Sequence, residues 1–304
     1  MLFQKLLQKV VRDGNLRLID SKGQIHDCGD GTGPRCTMRI HKRWLEYKLV
    51  LNPPLYLGEG YMDGEITLEE GTLRDFLAIF AQNYPNIEKN RLVKFGFALG
   101  GHVRRLKQYN PVGKARQNVA HHYDLSGQLY DLFLDADRQY SCAYFRSGEE
   151  SLEQAQADKK RHLAAKLLFD RPDLKLLDIG SGWGGLGLYL ARAGNCEVTG
   201  VTLSTEQHKV SQERARKAGL DDRVQFHLRD YREDSNTYDR IVSVGMFEHV
   251  GKKNYPEFFR KVSELLDDDG VFVLHSVGRV SEPGPINPFM RKYIFPGADV
   301  PTLG

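Results

Sequence analysis

The chain has 304 residues, 40% of them hydrophobic and 27% charged, and its 43 basic and 40 acidic side chains leave a formal net charge of +3. This is an ordinary balance for a soluble protein of two domains or one large one, with enough apolar residues for a core that needs no staples. No apolar run approaches the roughly 18–20 residues that would cross a bilayer, and Cys28, Cys36, Cys142 and Cys196 stand apart without a C-x-x-C pair, so neither a zinc site nor a disulfide framework is indicated and a reducing cytoplasm is expected.

The first twelve residues, Met1 to Arg12, have the spacing of an amphipathic helix broken by charge, too polar for a signal-peptide core. Leu16 to Asp20 and Thr37 to His41 read as short strands around the turn-rich Gly29 to Pro34. A further apolar segment runs from Trp44 to Leu51 and ends at Asn52-Pro53-Pro54, and Gly58 to Ile66 reads as a turn and strand. Leu73, Phe76, Leu77 and Phe80 then share one helical face. Together these make a small α+β module without a catalytic constellation.

From Lys89 to Gln117 there is no acidic residue, while Lys89, Arg91, Lys94, Arg104, Arg105, Lys107, Lys114 and Arg116 fall there. The stretch reads either as a solvated linker or as a patch for an anionic membrane surface, where each basic residue is worth about 1 kcal/mol. Nucleic acid is the weakest reading, because no recognition module or aromatic platform accompanies the charge.

His121 to Ser126, Leu129 to Asp135 and Tyr140 to Phe145 are dense in aromatic and polar groups. Ser151-Leu152-Glu153-Gln154 then has the form of a helix cap. The run Leu176-Leu177-Asp178-Ile179-Gly180-Ser181-Gly182-Trp183-Gly184-Gly185 reads as strand, glycine turn and helix start. Gly180, Gly182 and Gly185 match a dinucleotide fingerprint, yet the second strand, Glu197 to Ser204, carries no acid at its end for a ribose. Asp178 would repel a pyrophosphate and suits a ligand that bears an ammonium and a sulfonium, which favours S-adenosylmethionine over a dinucleotide. Downstream, helix and strand alternate through Thr205–Lys217, Val224–Leu228, Arg240–Val244, Tyr255–Leu266 and Val271–His275, the pattern of a mostly parallel sheet covered on both faces. The predicted fold class is therefore α/β, a Rossmann-like class I methyltransferase doubly wound sheet, preceded by the α+β module. The predicted division is an N-terminal domain and basic linker over 1–118 and a methyltransferase domain over 119–304.

Several motifs in order carry a resemblance: His122-Tyr123-Asp124, Tyr140-Ser141-Cys142, Gly182-Trp183-Gly184-Gly185, Gly200 to Ser204 with Glu206-Gln207, Phe247 to Gly251, Leu274 to Gly278 and Lys292 to Gly297. With them the chain from about His121 onward resembles the cyclopropane-fatty-acyl-phospholipid synthases and their mycolic-acid relatives, which are S-adenosylmethionine-dependent lipid methyltransferases. Beside Asp178, which the charge argument selects, the resemblance implies a donor site of Tyr140, Ser141, Gly180, Gly182, Thr202, Leu203, Gln207 and Tyr231, the last standing where the mycolic-acid branch is associated with Trp. It implies a bound bicarbonate as the final base, held by Cys142 through its main chain, by Glu248 and by His275. Tyr123, Tyr144, Phe145 and Phe247 are expected to line a dry substrate pocket whose aromatic faces stabilise a carbocation on the acyl chain. No metal is implied.

The implied reaction is transfer from S-adenosylmethionine to the cis double bond of an unsaturated phospholipid acyl chain, closing a cyclopropane ring, by a cytoplasmic enzyme peripherally associated with the membrane. A homodimer is a candidate assembly. The alternatives are a related lipid or small-molecule methyltransferase with a methyl-branched or N-methyl product, and a non-catalytic module that binds the donor or a membrane. Such sheets have seven strands and five are found before Gly304, so weak or absent activity is expected of these 304 residues alone.

Overall fold

A computed structural model describes residues 2–89, 127–280, 286–294 and 300–302. The chain divides into two units, Met1–Lys107 with Asn287–Lys292, and Gln108–Ile286 with Tyr293–Gly304. The predicted boundary at 118 and the basic stretch from 90 to 117 lie outside the described residues.

In the first unit, α1 (Leu2–Val10) turns Phe3, Leu6, Leu7 and Val10 inward at the three- and four-residue spacing of one helical stripe. The sheet combines β1 (Asn15–Ile19), β2 (Ile25–Cys28), β3 (Arg35–Ile40) and, later in the chain, β4 (Ile66–Glu70), in the order β2-β1-β3-β4. β1 and β3 run parallel at its centre, with antiparallel strands at both edges. Leu16, Leu18, Met38, Ile40 and Ile66 from its strands share a core with α1. Two elements depart from the sequence reading. β2 was hidden because an edge strand with the sequence Ile-His-Asp-Cys, exposed at Ile25 and Asp27, shows little apolar alternation. Gly58 to Met62 is helical, not a turn.

The two helices after β3 are α2 (Arg43–Leu51) and α3 (Pro53–Met62). The prolines that close α2 open α3, where the missing N–H costs nothing. Gly60 serves close packing: a β-carbon there would stand 2.9 Å from Leu45 and from Ile66. After β4, α4 (Leu73–Gln82) is capped reciprocally by Thr72 and Asp75, and α5 (Tyr84–Lys89) follows.

The second unit opens with α6 (Gly127–Asp131) and α7 (Leu152–Leu167), the latter capped by the Ser151 hydroxyl, which accepts the Gln154 N–H at 3.2 Å. Next come β5 (Lys175–Ile179), α8 (Gly185–Gly194), β6 (Glu197–Thr202), α9 (Thr205–Lys217), β7 (Val224–Leu228), β8 (Tyr238–Val244), α10 (Tyr255–Leu265) and β9 (Leu266–His275). A short helix, α11 (Pro288–Tyr293), follows in the chain and belongs to the first unit up to Lys292. The five strands are parallel in the order β7-β6-β5-β8-β9. Because a strand's side chains alternate, Leu176, Val198, Val242 and Val273 face one core with Leu163, Leu167 and Leu190. Leu177, Ile179, Val201 and Ile241 face the other, with Phe258, Val262 and Leu265 of α10. Both faces are covered, as expected. The chain works outward from β5 to β7 and then returns to β8, so the crevice beyond the C-terminal end of β5 is the switch point where ligands of such sheets bind.

Candidate functional site: a donor cleft and a neighbouring cavity

β5 hands the chain to a turn that only glycine can make. Gly180 and Ser181 both donate to the Val201 carbonyl at 3.0 Å, which ties the turn to the end of β6. Gly182 has φ +54° and a β-carbon there would meet nothing within 4 Å, so its open side faces the cleft. Gly184 has φ +82°, and a β-carbon would stand 2.8 Å from Phe226 and Ser211, so the turn also needs glycine to rest on the core.

All nine residues expected at the donor site line this cleft: Tyr140, Ser141, Asp178, Gly180, Gly182, Thr202, Leu203, Gln207 and Tyr231. At the end of β6 the Thr202 hydroxyl donates to Gln207 Oε1 at 3.0 Å, and Ser204 caps α9 by accepting the Gln207 N–H. This rim offers neutral hydroxyl and amide groups in place of the acid a dinucleotide ribose would want. Tyr231 packs edge-on to Phe258 at 5.5 Å, and burial pushes its hydroxyl up from the usual tyrosine range. Asp230 accepts from the Arg232 main chain at 3.0 Å and from its guanidinium at 2.7 Å, which braces the short turn carrying Tyr231.

The cleft wall holds buried polar atoms without protein partners: Asp178 Oδ2, Ser181 Oγ and Trp183 Nε1. Such groups are costly unless something satisfies them. A ligand that has both an ammonium and hydrogen-bonding oxygens fits the set. Burial pushes the Asp178 carboxyl up to about 7, against the opposing pull of Lys159, so a nearby cation would favour its charged form.

Beside the cleft is a second cavity, lined among others by Cys142, Tyr144, Lys159, His162 and His275. Cys142 is exposed. His275 keeps an unpartnered Nδ1, and burial lowers its pKa, with Lys159 adding to the effect and Glu248 opposing it. Glu248 is buried; one oxygen accepts the Val277 N–H and the other, Oε2, has no protein partner. Glu248 lines neither cavity, and its link to His275 is electrostatic.

The aromatic expectations separate. Tyr144 lines the second cavity and stacks on His162 at 4.8 Å. Phe145 is 47% exposed and lines neither cavity. Phe247 is a correction: it is 4% exposed and packs on Tyr255 and Phe258 at 4.2 and 5.0 Å, so its ring belongs to the core behind α10 and not to a substrate pocket. Successive residues of the tight turn Phe247–His249 point different ways, and the sequence does not say which one turns inward. Tyr123 lies outside the described residues.

Sequence reasoning missed Lys159, which is 3% exposed and donates to the Ser141 hydroxyl at 2.7 Å. The signal was present: Ala155, Lys159 and Leu163 recur every four residues, so the lysine sits in the buried stripe of α7. Among the described residues no group of three His, Cys, Asp or Glu could hold a metal.

The parallel sheet, its switch-point cleft and the glycine turn at the end of β5 define a Rossmann-like class I methyltransferase fold. Residues 112–304 match the family described as mycolic acid cyclopropane synthetase, and the chain belongs to that family. The chain is 39% identical over 251 residues to the cyclopropane-fatty-acyl-phospholipid synthase of Escherichia coli (strain K12), an alignment covering 82% of this chain and 63% of that protein. This chain thus spans less than two thirds of that relative's length. The cyclopropane synthase MmaA2 from Mycobacterium tuberculosis superposes with a TM-score of 0.58 at 32% identity, covering 62% of this chain and 70% of that one. The mycolic acid cyclopropane synthase CmaA1 complexed with SAH and CTAB gives 0.57 at 33% identity over the same shares.

Proposed function

We propose that this chain transfers the methyl group of S-adenosylmethionine to the cis double bond of an unsaturated phospholipid acyl chain and closes it to a cyclopropane. One observation carries the reading: the consecutive residues Ser141 and Cys142 line two different cavities, the donor cleft and the neighbouring one with His275. A reaction needing a donor on one side and a base on the other fits such a wall.

The donor supplies an electrophilic methyl on a sulfonium. Asp178 accepts the ammonium of its amino-acid end, Thr202 and Gln207 hold its ribose, and Tyr231 packs against its adenine. Addition of the methyl leaves a cation on the acyl chain, and loss of a proton from that methyl closes the ring. Cys142, Glu248 and His275 are the residues that would hold a bicarbonate, which would supply a weak base for that proton. Exclusion of water keeps the cation from being trapped as an alcohol, and the stacked ring of Tyr144 offers it a π face.

The partner is the surface of a phospholipid membrane. Among the described residues no helix is long and apolar enough to cross one. The first unit offers a face for lying on one: α2 exposes Trp44, Tyr47 and Leu51, at 46%, 58% and 73%. Lys42, Arg43 and Lys48 stand exposed around them, and the acid of this helix, Glu46, is turned inward to the Ser21 N–H at 2.9 Å. Exposed Trp and Tyr with basic neighbours suit the headgroup region of an anionic bilayer. The proposed setting is therefore the cytoplasmic membrane face, with the basic stretch of 89–117 as a second contact.

The test is incubation with methyl-labelled donor and unsaturated phospholipid vesicles, followed by mass spectrometry of the fatty acids. The expected result is label in acyl chains that have gained one CH2 and lost the double bond. Donor binding with label-free lipid overturns the lipid substrate, and a labelled methyl branch without a ring overturns the ring closure.

A further inference from the structure

We propose that Lys159 is a positioning residue of the donor site, whose buried ammonium fixes the Ser141 hydroxyl and places a positive charge where the carboxylate of the donor's amino-acid end would lie. The inference rests on the donor reading of the cleft and goes beyond it by assigning the recognition of that carboxylate.

Two side chains one turn apart on α7 hold Ser141. Gln156 Nε2 donates to its carbonyl at 3.0 Å, and Lys159 Nζ donates to its hydroxyl at 2.7 Å. Ser141 lines the donor cleft and Lys159 lines the cavity behind it, so the pair spans the wall between them. Lysine is almost never buried to this degree unless it is paired. Lys159 makes no ion pair within 4 Å among the described residues, unlike its neighbours Asp158, held by Arg146 and Arg161, and Lys160, held by Asp137. Its ammonium has three protons and the Ser141 hydroxyl takes one. The titratable groups around it are Asp135, Asp137, Lys160 and Cys142, and it in turn acts on Asp178 and His275, the latter also facing Glu248 and Lys166. Burial lowers its pKa to about 8, so near neutral pH the site still holds a cation that the fold itself does not neutralise at close range. An anionic group of the ligand would do so.

A purely structural lysine and a ligand-positioning one predict different results. Replacing an unpaired buried charge by an apolar chain of similar length removes the cost of its desolvation. The Lys159→Met variant should therefore melt at the same temperature or higher, yet bind S-adenosylhomocysteine about tenfold more weakly, the scale of one lost charge-assisted contact. Its affinity for 5′-methylthioadenosine, which has no amino-acid end, should be unchanged. Titration calorimetry of both ligands on the full chain gives the comparison, with Lys159→Gln as the second variant should the first fail to fold. Combining Lys159→Met with Ser141→Ala should weaken S-adenosylhomocysteine binding by less than the product of the two single effects. Unchanged S-adenosylhomocysteine binding, equal loss of both ligands, or independent single effects would overturn the proposal. Wild-type protein that binds neither ligand would overturn the donor reading itself, and the inference with it.

Discussion

The Thr202 hydroxyl donates to Gln207 Oε1 across 3.0 Å, and both side chains are buried at the rim of the donor cleft. This bond sets which way the Gln207 amide points, because its carbonyl is engaged and its NH2 is left for a ligand. Thr202→Val keeps the shape and removes the donor. It should cost roughly 1–2 kcal/mol of stability, from the lost bond and the orphaned amide oxygen. It should also weaken S-adenosylhomocysteine binding several-fold, measured by calorimetry beside a thermal melt. Full affinity in the variant would remove Gln207 from the donor site.

Asp178 carries a pH signature. Burial raises its folded pKa to about 7, above the unfolded value, so the stability it contributes is present below the unfolded carboxyl range and is lost as pH rises towards 7. A ligand ammonium favours the carboxylate, so donor binding just below pH 7 should release a proton and affinity should rise from about pH 6 to 7, above which loss of the Lys159 proton near pH 8 opposes a further rise. Calorimetry in buffers of differing ionisation enthalpy measures that proton directly. Asp178→Asn should abolish both the release and the slope.

His275 is held neutral by burial, with its pKa lowered from the usual histidine range. Its role as a holder of the base should therefore persist on the acid side to below about pH 6.5, the ordinary histidine value. Labelled-methyl incorporation into lipid, followed against pH, should have its acid limb below that point. Glu248→Gln should lower ring formation while leaving S-adenosylhomocysteine affinity near wild type, since Glu248 does not line the donor cleft. Unchanged ring formation in that variant would exclude Glu248 from the base site.

Arg240 is the stability counterpart of these site residues. It is 3% exposed and donates to the Leu167 carbonyl at 2.6 Å, the Leu168 carbonyl at 2.7 Å and Asp170 at 2.8 Å, closing the C-terminal end of α7 onto β8. Arg240→Met leaves the carbonyl of buried Leu167 unsatisfied and removes the two further bonds, and should cost roughly 2–4 kcal/mol in denaturant unfolding. A loss under 1 kcal/mol would mean that water replaces the guanidinium.

On the first unit, replacing Trp44 and Leu51 together with alanine should reduce sedimentation with anionic vesicles. Binding of both proteins should weaken as salt is raised, because Lys42, Arg43 and Lys48 supply the electrostatic part. Equal binding by the variant would point to another lipid-contacting face.

Most of the second unit was legible because a parallel α/β sheet writes itself as apolar runs alternating with amphipathic helices: α9 and β7 have the bounds read from periodicity and caps alone. β2 and the helical Gly58 to Met62 were less legible, the first because an edge strand needs few apolar residues and the second because Gly60 is there to let Leu45 and Ile66 approach. Most residues expected at the donor site came from the family resemblance, and several of them stand at strand ends, where topology forces a cleft. The role of Phe247 was not legible, because it depends on which way one side chain points from a turn; the stripe of α7 signalled the burial of Lys159 but not its contact with Ser141.

By itself the sequence determined the donor: the glycine turn after β5, the acid before it and the acid-free end of β6 are local features, and local chemistry selects the ligand. The tertiary structure alone decided what surrounds that donor. It buried Phe247 in the core, carried Cys142 and His275, which stand far apart in the chain, to one cavity, and set Lys159 behind Ser141 as a buried ammonium without a close carboxylate. Burial and proximity between distant segments arise from packing, and they set both the cost of a charge and what it can act upon.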